Sequence, residues 1–207
     1  PHLINPSLVL SDYNSIKIQS LPRYLKPLGY TSHFFHGGNK GTMGFDIYCK
    51  MAGFDYSYFR QHYPDYRDYD GHWGIFDGPF LQFAAGVLNH NPQPFFAAIM
   101  TLSSHHPYTL PPGAEEKFRK GTLPIHQSVL YADHALGAFI NAAMDSGWGR
   151  NTLFVITADH TETLEYTSNR TSKGIWEVPL VFYEYGRTWE EPLSDKPVQH
   201  ADIMPGI

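Results

Sequence analysis

The chain holds one cysteine, Cys49, so no disulfide forms within it and packing must carry its stability. A lone cysteine does not fix the compartment, because exported proteins need not carry disulfides. No apolar run approaches the ~18 residues that a membrane-crossing helix needs, and no secretory leader pattern is visible. Basic residues are in deficit: 15 Lys and Arg against 20 Asp and Glu leave a formal charge of -5, which excludes a nucleic-acid footprint. Internal repeats, heptads and low-complexity tracts are absent, which excludes solenoid and coiled-coil folds. The sequence starts at Pro1 and not at Met, and it stops at Ile207 just inside a helix-like segment, Ala201-Asp202-Ile203-Met204-Pro205. It therefore reads as a piece of a longer protein, with any anchor or export signal outside it.

What is present fits one globular domain over residues 1–207. Hydrophobic residues make up 42% and charged residues 17%, which argues against disorder. Helical and strand-like patterns alternate, which predicts an α/β layer sandwich. Ser20-Leu21-Pro22 opens a short helix, with Ser20 as N-cap and Gly29 as stop. A strand over 30–35 follows, then the loop His36-Gly37-Gly38, then a helix over 45–51. Residues 53–59 read as a strand, and the Tyr-, Asp- and Arg-rich stretch 60–72 as a loop excursion. Asp77 begins a capped helix that runs to Leu88. Phe95-Phe96-Ala97-Ala98-Ile99-Met100-Thr101-Leu102 is apolar on both faces, as a central parallel strand is. It ends in Ser103-Ser104-His105-His106-Pro107. Residues 111–124 read as loop. Val129, Ala132, Leu136, Phe139, Ile140 and Ala143 then recur at the three- and four-residue spacing of an amphipathic helix. Asp133 and His134 fall on its other face. A last strand is expected over 178–183.

The most informative stretch is Leu153-Phe154-Val155-Ile156-Thr157-Ala158-Asp159-His160. A buried strand runs into a carboxylate beside an imidazole, at the sheet edge where α/β proteins bind ligands. Carboxylate oxygen and neutral imidazole nitrogen suit Zn²⁺ or Mn²⁺. The competing reading makes Asp159 a cap and His160 an ordinary loop residue. His36 and His105 also follow strands, and each is equally well explained as a surface residue before a turn.

The segments around 95–108, 131–137, 151–160, 178–180 and 202–205 come in the order found in lipoteichoic acid synthase-like proteins. Ser20-Leu21-Pro22, His36-Gly37 and Trp73-Gly74 with Asp77 fit as well. The chain thus resembles that family, in the sulfatase branch of the alkaline phosphatase superfamily. The resemblance implies a mainly parallel central sheet flanked by helices, incomplete here on its N-terminal side. It implies an extracytoplasmic enzyme, anchored to the membrane through parts absent from this chain. Such an enzyme moves phosphoglycerol or another phosphoryl group, or hydrolyses phosphate or sulfate esters. It further implies one divalent ion, Mn²⁺ before Mg²⁺ or Zn²⁺, with Asp159 and His160 as ligands. It makes His105 catalytic and substrate-binding, and His36 substrate-facing.

Two departures stand out. The family's Thr nucleophile and Glu ligand lie upstream of the matched part, so this chain holds half the metal site. Where lipoteichoic acid synthases place a Trp and an Arg for glycerol phosphate, this chain has Met43 and Phe45. A phospholipid other than phosphatidylglycerol, or another ester, is therefore the expected substrate. The alternative is a non-catalytic module that binds an envelope glycan or a protein partner, for which the aromatic-rich stretch 56–73 offers a surface.

Overall fold

The computed structural model describes residues 9, 11–189 and 197–207. The chain gathers into two compact units, one of residues up to 102 together with the C-terminal helix, the other from 103 to 189. The architecture is α/β, with a parallel sheet flanked by helices.

In the first unit α1 (Leu21–Leu25) starts after Ser20 and tightens into a 3₁₀ turn at Lys26–Leu28, where Pro27 removes a donor. Ser20 does not cap this helix. Its Oγ donates to the Ala52 carbonyl at 2.5 Å, tying the helix start to the end of α2 (Phe45–Ala52). Gly29 ends the turn at φ 86°, a left-handed backbone that costs glycine nothing.

The strands β1 (Thr31–His36), β2 (Tyr56–Tyr58) and β3 (Phe95–Met100) pair in parallel in the order β2-β1-β3. Phe34 lies opposite Ser57 and Ala98, and His36 opposite Met100. Parallel neighbours need a crossover. The helix α2 lies between β1 and β2 in sequence, and α3 (Asp77–Asn89) lies between β2 and β3.

Period-two alternation sends Phe34 to one face of β1 and His33 and Phe35 to the other. Phe34, Cys49 and Phe59 form a buried cluster with Phe45, Phe54 and Ala98 against it. On the opposite face Tyr58 stacks on Phe35 at 4.7 Å and meets Phe83 of α3 edge-on at 6.2 Å. Much of the aromatic load is thus spent on packing around β1. Burial drives the Cys49 thiol up to about 12, so this cysteine is a packing residue and not a nucleophile.

The excursion after β2 has a definite job. The Arg60 amide donates to the Gly38 carbonyl at 2.9 Å and the Ile75 amide to the Gly37 carbonyl at 3.1 Å. The excursion is thereby clamped over the loop that follows β1. Its rings include Tyr63, which packs against Phe80 and Phe83 of α3.

In the second unit a short helix α4 (Ala114–Lys117) interrupts what the sequence reads as loop. The long helix α5 (Pro124–Asp145) follows. Its buried stripe is Ser128, Tyr131, Ala135, Phe139 and Ala143, which shares Phe139 and Ala143 with the expected one, and Val129 is 46% exposed. Tyr131 supplies more apolar area than Val129 and decides the rotation. Ala132, Leu136 and Ile140 stand half-buried beside the stripe, while Asp133 and His134 lie outside as expected. Phe139, Trp148, Phe154 and Tyr183 then form a ring chain with centroids 6.0, 6.3 and 6.0 Å apart. It links α5 to β4 (Leu153–Thr157) and β5 (Leu180–Glu184).

Here one expectation fails. The strand over 153–158 was expected to share the parallel sheet of β3, yet β4 pairs antiparallel with β5 as a separate two-stranded ladder. The antiparallel partner satisfies one edge of β4, a pairing that residue composition does not announce. At the C-terminus α6 (His200–Gly206) forms as expected. The Gln199 amide donates to Asp202 Oδ2 at 2.7 Å, so Asp202 caps the helix start.

Candidate active site

The nominated residues divide between the units: His36 in the first, and His105, Asp159 and His160 in the second. His36 ends β1, the middle strand of the sheet. Its ring is 1% exposed and lies 4.7 Å from the Phe45 ring. A Cβ added to Gly38 would lie 2.6 Å from His36 Nε2, so the glycine lets the loop close over the imidazole. Burial lowers the His36 pKa, and the Met100 backbone offsets part of that effect. His36 is thus held neutral beneath its loop. Of the nearby cations, the Arg60 guanidinium sits 4.5 Å from the Tyr69 ring centroid, while Lys40 is exposed and its backbone amide donates to Gln61 Oε1.

Asp159 and His160 follow β4 directly, with side chains 60% and 53% exposed. The His160 amide donates to Asp159 Oδ1 at 2.9 Å, which turns the carboxylate back toward its neighbour. His160 Nδ1 lies 2.8 Å from the Thr161 carbonyl oxygen. A carbonyl only accepts, so Nδ1 carries a proton, and in the neutral ring Nε2 holds the lone pair. That Nε2 stands 3.4 Å from Asp159 Oδ2. Two ligand atoms ~2.1 Å from one tetrahedral or octahedral ion are themselves ~3.0–3.4 Å apart. The pair therefore fits two cis positions of a divalent ion, and a carbonyl already orients the imidazole as such ligands require. Among the described residues no group of three or more His, Cys, Asp and Glu converges on one point.

His105 lies exposed in the loop after β3. Its Nδ1 is 2.7 Å from the His106 carbonyl oxygen and donates to it. Tyr108, at φ 64°, donates through its hydroxyl to Glu162 Oε2 at 2.5 Å. Burial, followed by the Glu162 hydrogen bond, raises the Tyr108 pKa, which keeps the phenol a donor. This contact brings the His105 loop to the Asp159–His160 loop. Thr122 repeats the arrangement: its hydroxyl donates to Glu165, which also lies 3.7 Å from His126 Nε2. Neither Tyr108 nor Glu162 carries a sequence signal, because their meeting spans 54 residues.

Asp77 is a further surprise. It stands in the first turn of α3, is 3% exposed, and its Oδ1 accepts the Leu102 amide at 2.8 Å. The carboxylate fixes the backbone where β3 ends. A buried aspartate in the first turn of a helix is the signal, but the sequence leaves its partner open.

This fold, with chemistry-bearing loops at strand ends, is that of the alkaline phosphatase superfamily. A superfamily member from Vibrio parahaemolyticus superposes with TM-score 0.72 at 25% identity, over 86% of this chain and 44% of that one. The lipoteichoic acid synthase LtaP of Listeria monocytogenes superposes with TM-score 0.72 at 22% identity, over 87% and 49%. The sulfatase family model matches residues 3–207, and the chain belongs to that family as a lipoteichoic acid synthase-like member. The lipoteichoic acid synthase of Staphylococcus saprophyticus is 30% identical over 91% of the chain, and phosphoglycerol transferase I of Xanthomonas euvesicatoria is 27% identical over 66%. The chain spans about a third of the first of these curated relatives (32%) and about a fifth of the second (21%). No helix among the described residues is long and apolar enough to cross a membrane.

Proposed function

We propose that the chain is the C-terminal part of an extracytoplasmic, metal-dependent enzyme that transfers a phosphoryl group, of the phosphoglycerol kind, between alcohols of the cell envelope. The observation that carries this is the 3.4 Å approach of Asp159 Oδ2 to the lone-pair nitrogen of His160 at a strand end. The relatives' names support the reaction class. Asp159 and His160 hold the ion, Mn²⁺ before Mg²⁺ or Zn²⁺, together with a Glu and a Thr nucleophile from upstream. A divalent ion there stabilises charge on a phosphoryl oxygen and acidifies a bound hydroxyl. His105 Nε2 stands ready to take a proton from an entering alcohol or pass one to a leaving oxygen. His36 acts on the substrate through the Gly37–Gly38 loop that its ring supports. With Phe45 against His36 and Met43 69% exposed, no Arg fork grips a phosphate at these positions, so the donor is an ester other than phosphatidylglycerol.

The test is calorimetry with Mn²⁺ on this chain and on a longer one that includes the upstream residues. The longer chain binds tightly and this chain weakly, since two of four ligands are missing. Tight binding to this chain alone overturns the ligand assignment. The absence of a three-ligand group among the described residues favours one other reading, a non-catalytic envelope-binding module. Failure of the longer chain to bind Mn²⁺ or turn over any phospholipid, phosphate ester or sulfate ester favours that module.

A further inference from the structure

We infer that the first unit carries a binding pocket for a phosphate group, toward the C-terminal end of α2. The pocket encloses about 390 Å³, and pockets that take small organic ligands span ~300–1,000 Å³. It is lined by the segment 14–17, by Arg23 of α1, and by Ile47, Lys50 and Met51 of α2. None of His36, His105, Asp159 and His160 lines it.

Charge chooses the ligand. The chain carries a formal charge of -5, yet this lining holds the cations Lys17, Arg23 and Lys50 and no carboxylate. Among the described residues none of the three forms an ion pair with an acidic side chain. Asp46, one helical turn before Lys50, stands outside the lining. Like charges gathered without a counter-ion repel one another, and an anion between them relieves that repulsion.

Arg23 is also built into the site. Its Nε and Nη2 donate to the Met51 carbonyl at 3.3 and 2.9 Å, and Nη2 reaches the Lys50 carbonyl at 3.4 Å. A Cβ on Gly53 would stand 2.9 Å from Arg23 Cζ, so the glycine makes room for the guanidinium. Carbonyls at a helix C-terminus repel an anion. Here Arg23 covers them together with the Ile18 amide, which donates to the same Met51 oxygen at 3.2 Å. The guanidinium keeps its full charge, because its partners are neutral carbonyls, and Nη1 makes none of these bonds. Asn14 and Ser15 add an amide and a hydroxyl to the lining, and Ile16, Ile47 and Met51 add an apolar side. Cations beside neutral donors suit the several oxygens of a phosphate, and the apolar side suits the carbon skeleton of its ester. A lipid headgroup and a soluble phosphate ester share that chemistry.

The experiment is an NMR titration of the isotope-labelled 207-residue chain, with EDTA present so that no metal holds a phosphate elsewhere. The probes are inorganic phosphate, glycerol 3-phosphate, monomeric dihexanoylphosphatidic acid, acetate and glycerol. The phosphate probes should shift the amides of Ser15, Lys17, Arg23 and Lys50, and their binding should weaken several-fold between about 0.05 and about 0.5 M NaCl. Lys17→Gln and Lys50→Gln replace exposed side chains, and each should weaken binding about threefold or more. The double variant should lose most of it, while Lys120→Gln, in the second unit, should leave it unchanged. Tightest binding of the phosphatidic acid assigns the pocket to a lipid headgroup; equal binding of glycerol 3-phosphate assigns it to a soluble ester. The inference fails if no phosphate probe moves those amides, if acetate or glycerol binds there as tightly as phosphate, or if the double variant binds like the wild type.

Discussion

Two strand ends in this protein look alike in sequence and are built in opposite ways. The strand β1 runs into His36 under a clamped glycine loop, with the ring 1% exposed and packed against Phe45. The strand β4 runs into Asp159 and His160, both more than half exposed, with ring and carboxylate oriented by backbone atoms of their own loop. In the first case the surroundings press a neutral imidazole into the core. In the second, local hydrogen bonds present two acceptors to solvent. A carboxylate and an imidazole at 3.4 Å can share a proton as an ion pair or hold a metal cation between them. The buried imidazole packs against Phe45, and burial disfavours its charged form.

The sharpest way to break this contrast is to exchange its consequences. In the longer enzyme, His105→Ala should cut turnover ~10²–10⁴-fold if the imidazole moves a proton, with Mn²⁺ affinity and the urea midpoint nearly unchanged. His36→Ala should instead cost about 2–4 kcal/mol of stability, because it opens a cavity beside Phe45. A His36→Ala midpoint equal to wild type, or a His105→Ala variant with full turnover, would erase the distinction.

A smaller effect tests the clamp over β1. A Cβ at Gly74 would stand 2.4 Å from the Gly37 carbonyl oxygen, a backbone atom that cannot swing away. Gly74→Ala should therefore cost about 1–3 kcal/mol, read as a lower urea midpoint. Gly86→Ala, with nothing within 4 Å of the new Cβ, should be neutral or slightly stabilising. Equal midpoints for the two variants would mean that the excursion does not grip the loop.

The smallest effect is a pH dependence. His33 and His36 both have pKa values below the ordinary 6.5, chiefly through burial. The unfolded chain therefore binds protons first as pH falls through about 6.5, and stability drops there until the folded-state values are passed. The midpoint should be lower at about pH 5.5 than at about pH 7.5, and His33→Phe should flatten the slope. An unchanged slope in that variant would show that His33 does not contribute to it.

Some of this was legible in the residues and some was not. The strand–Asp–His stretch, the helix over 77–89 and the apolar run of β3 are local patterns, so their positions followed from spacing. The nomination of Asp159 and His160 as a pair needed only adjacency, because the hydrogen bonds that orient them involve the next residue. In the stripe of α5 the spacing found Phe139 and Ala143 but put Val129 where Tyr131 is buried, because Tyr131 outweighs Val129 only when something covers it. The partner of β4 was missed because strand pairing is a choice between distant edges.

The sequence by itself determined the longer helices and strands, where carboxylate and imidazole stand side by side, and that Cys49 forms no disulfide within the chain. Local periodicity and adjacency suffice for these. Only the tertiary structure decided that His36 is sealed beneath Gly38, that Asp77 holds the end of β3, and that Tyr108 joins the loops of His105 and His160. Each of those depends on groups separated by a turn or by dozens of residues. Their meeting is fixed by what packing leaves exposed and by where a buried donor finds its acceptor.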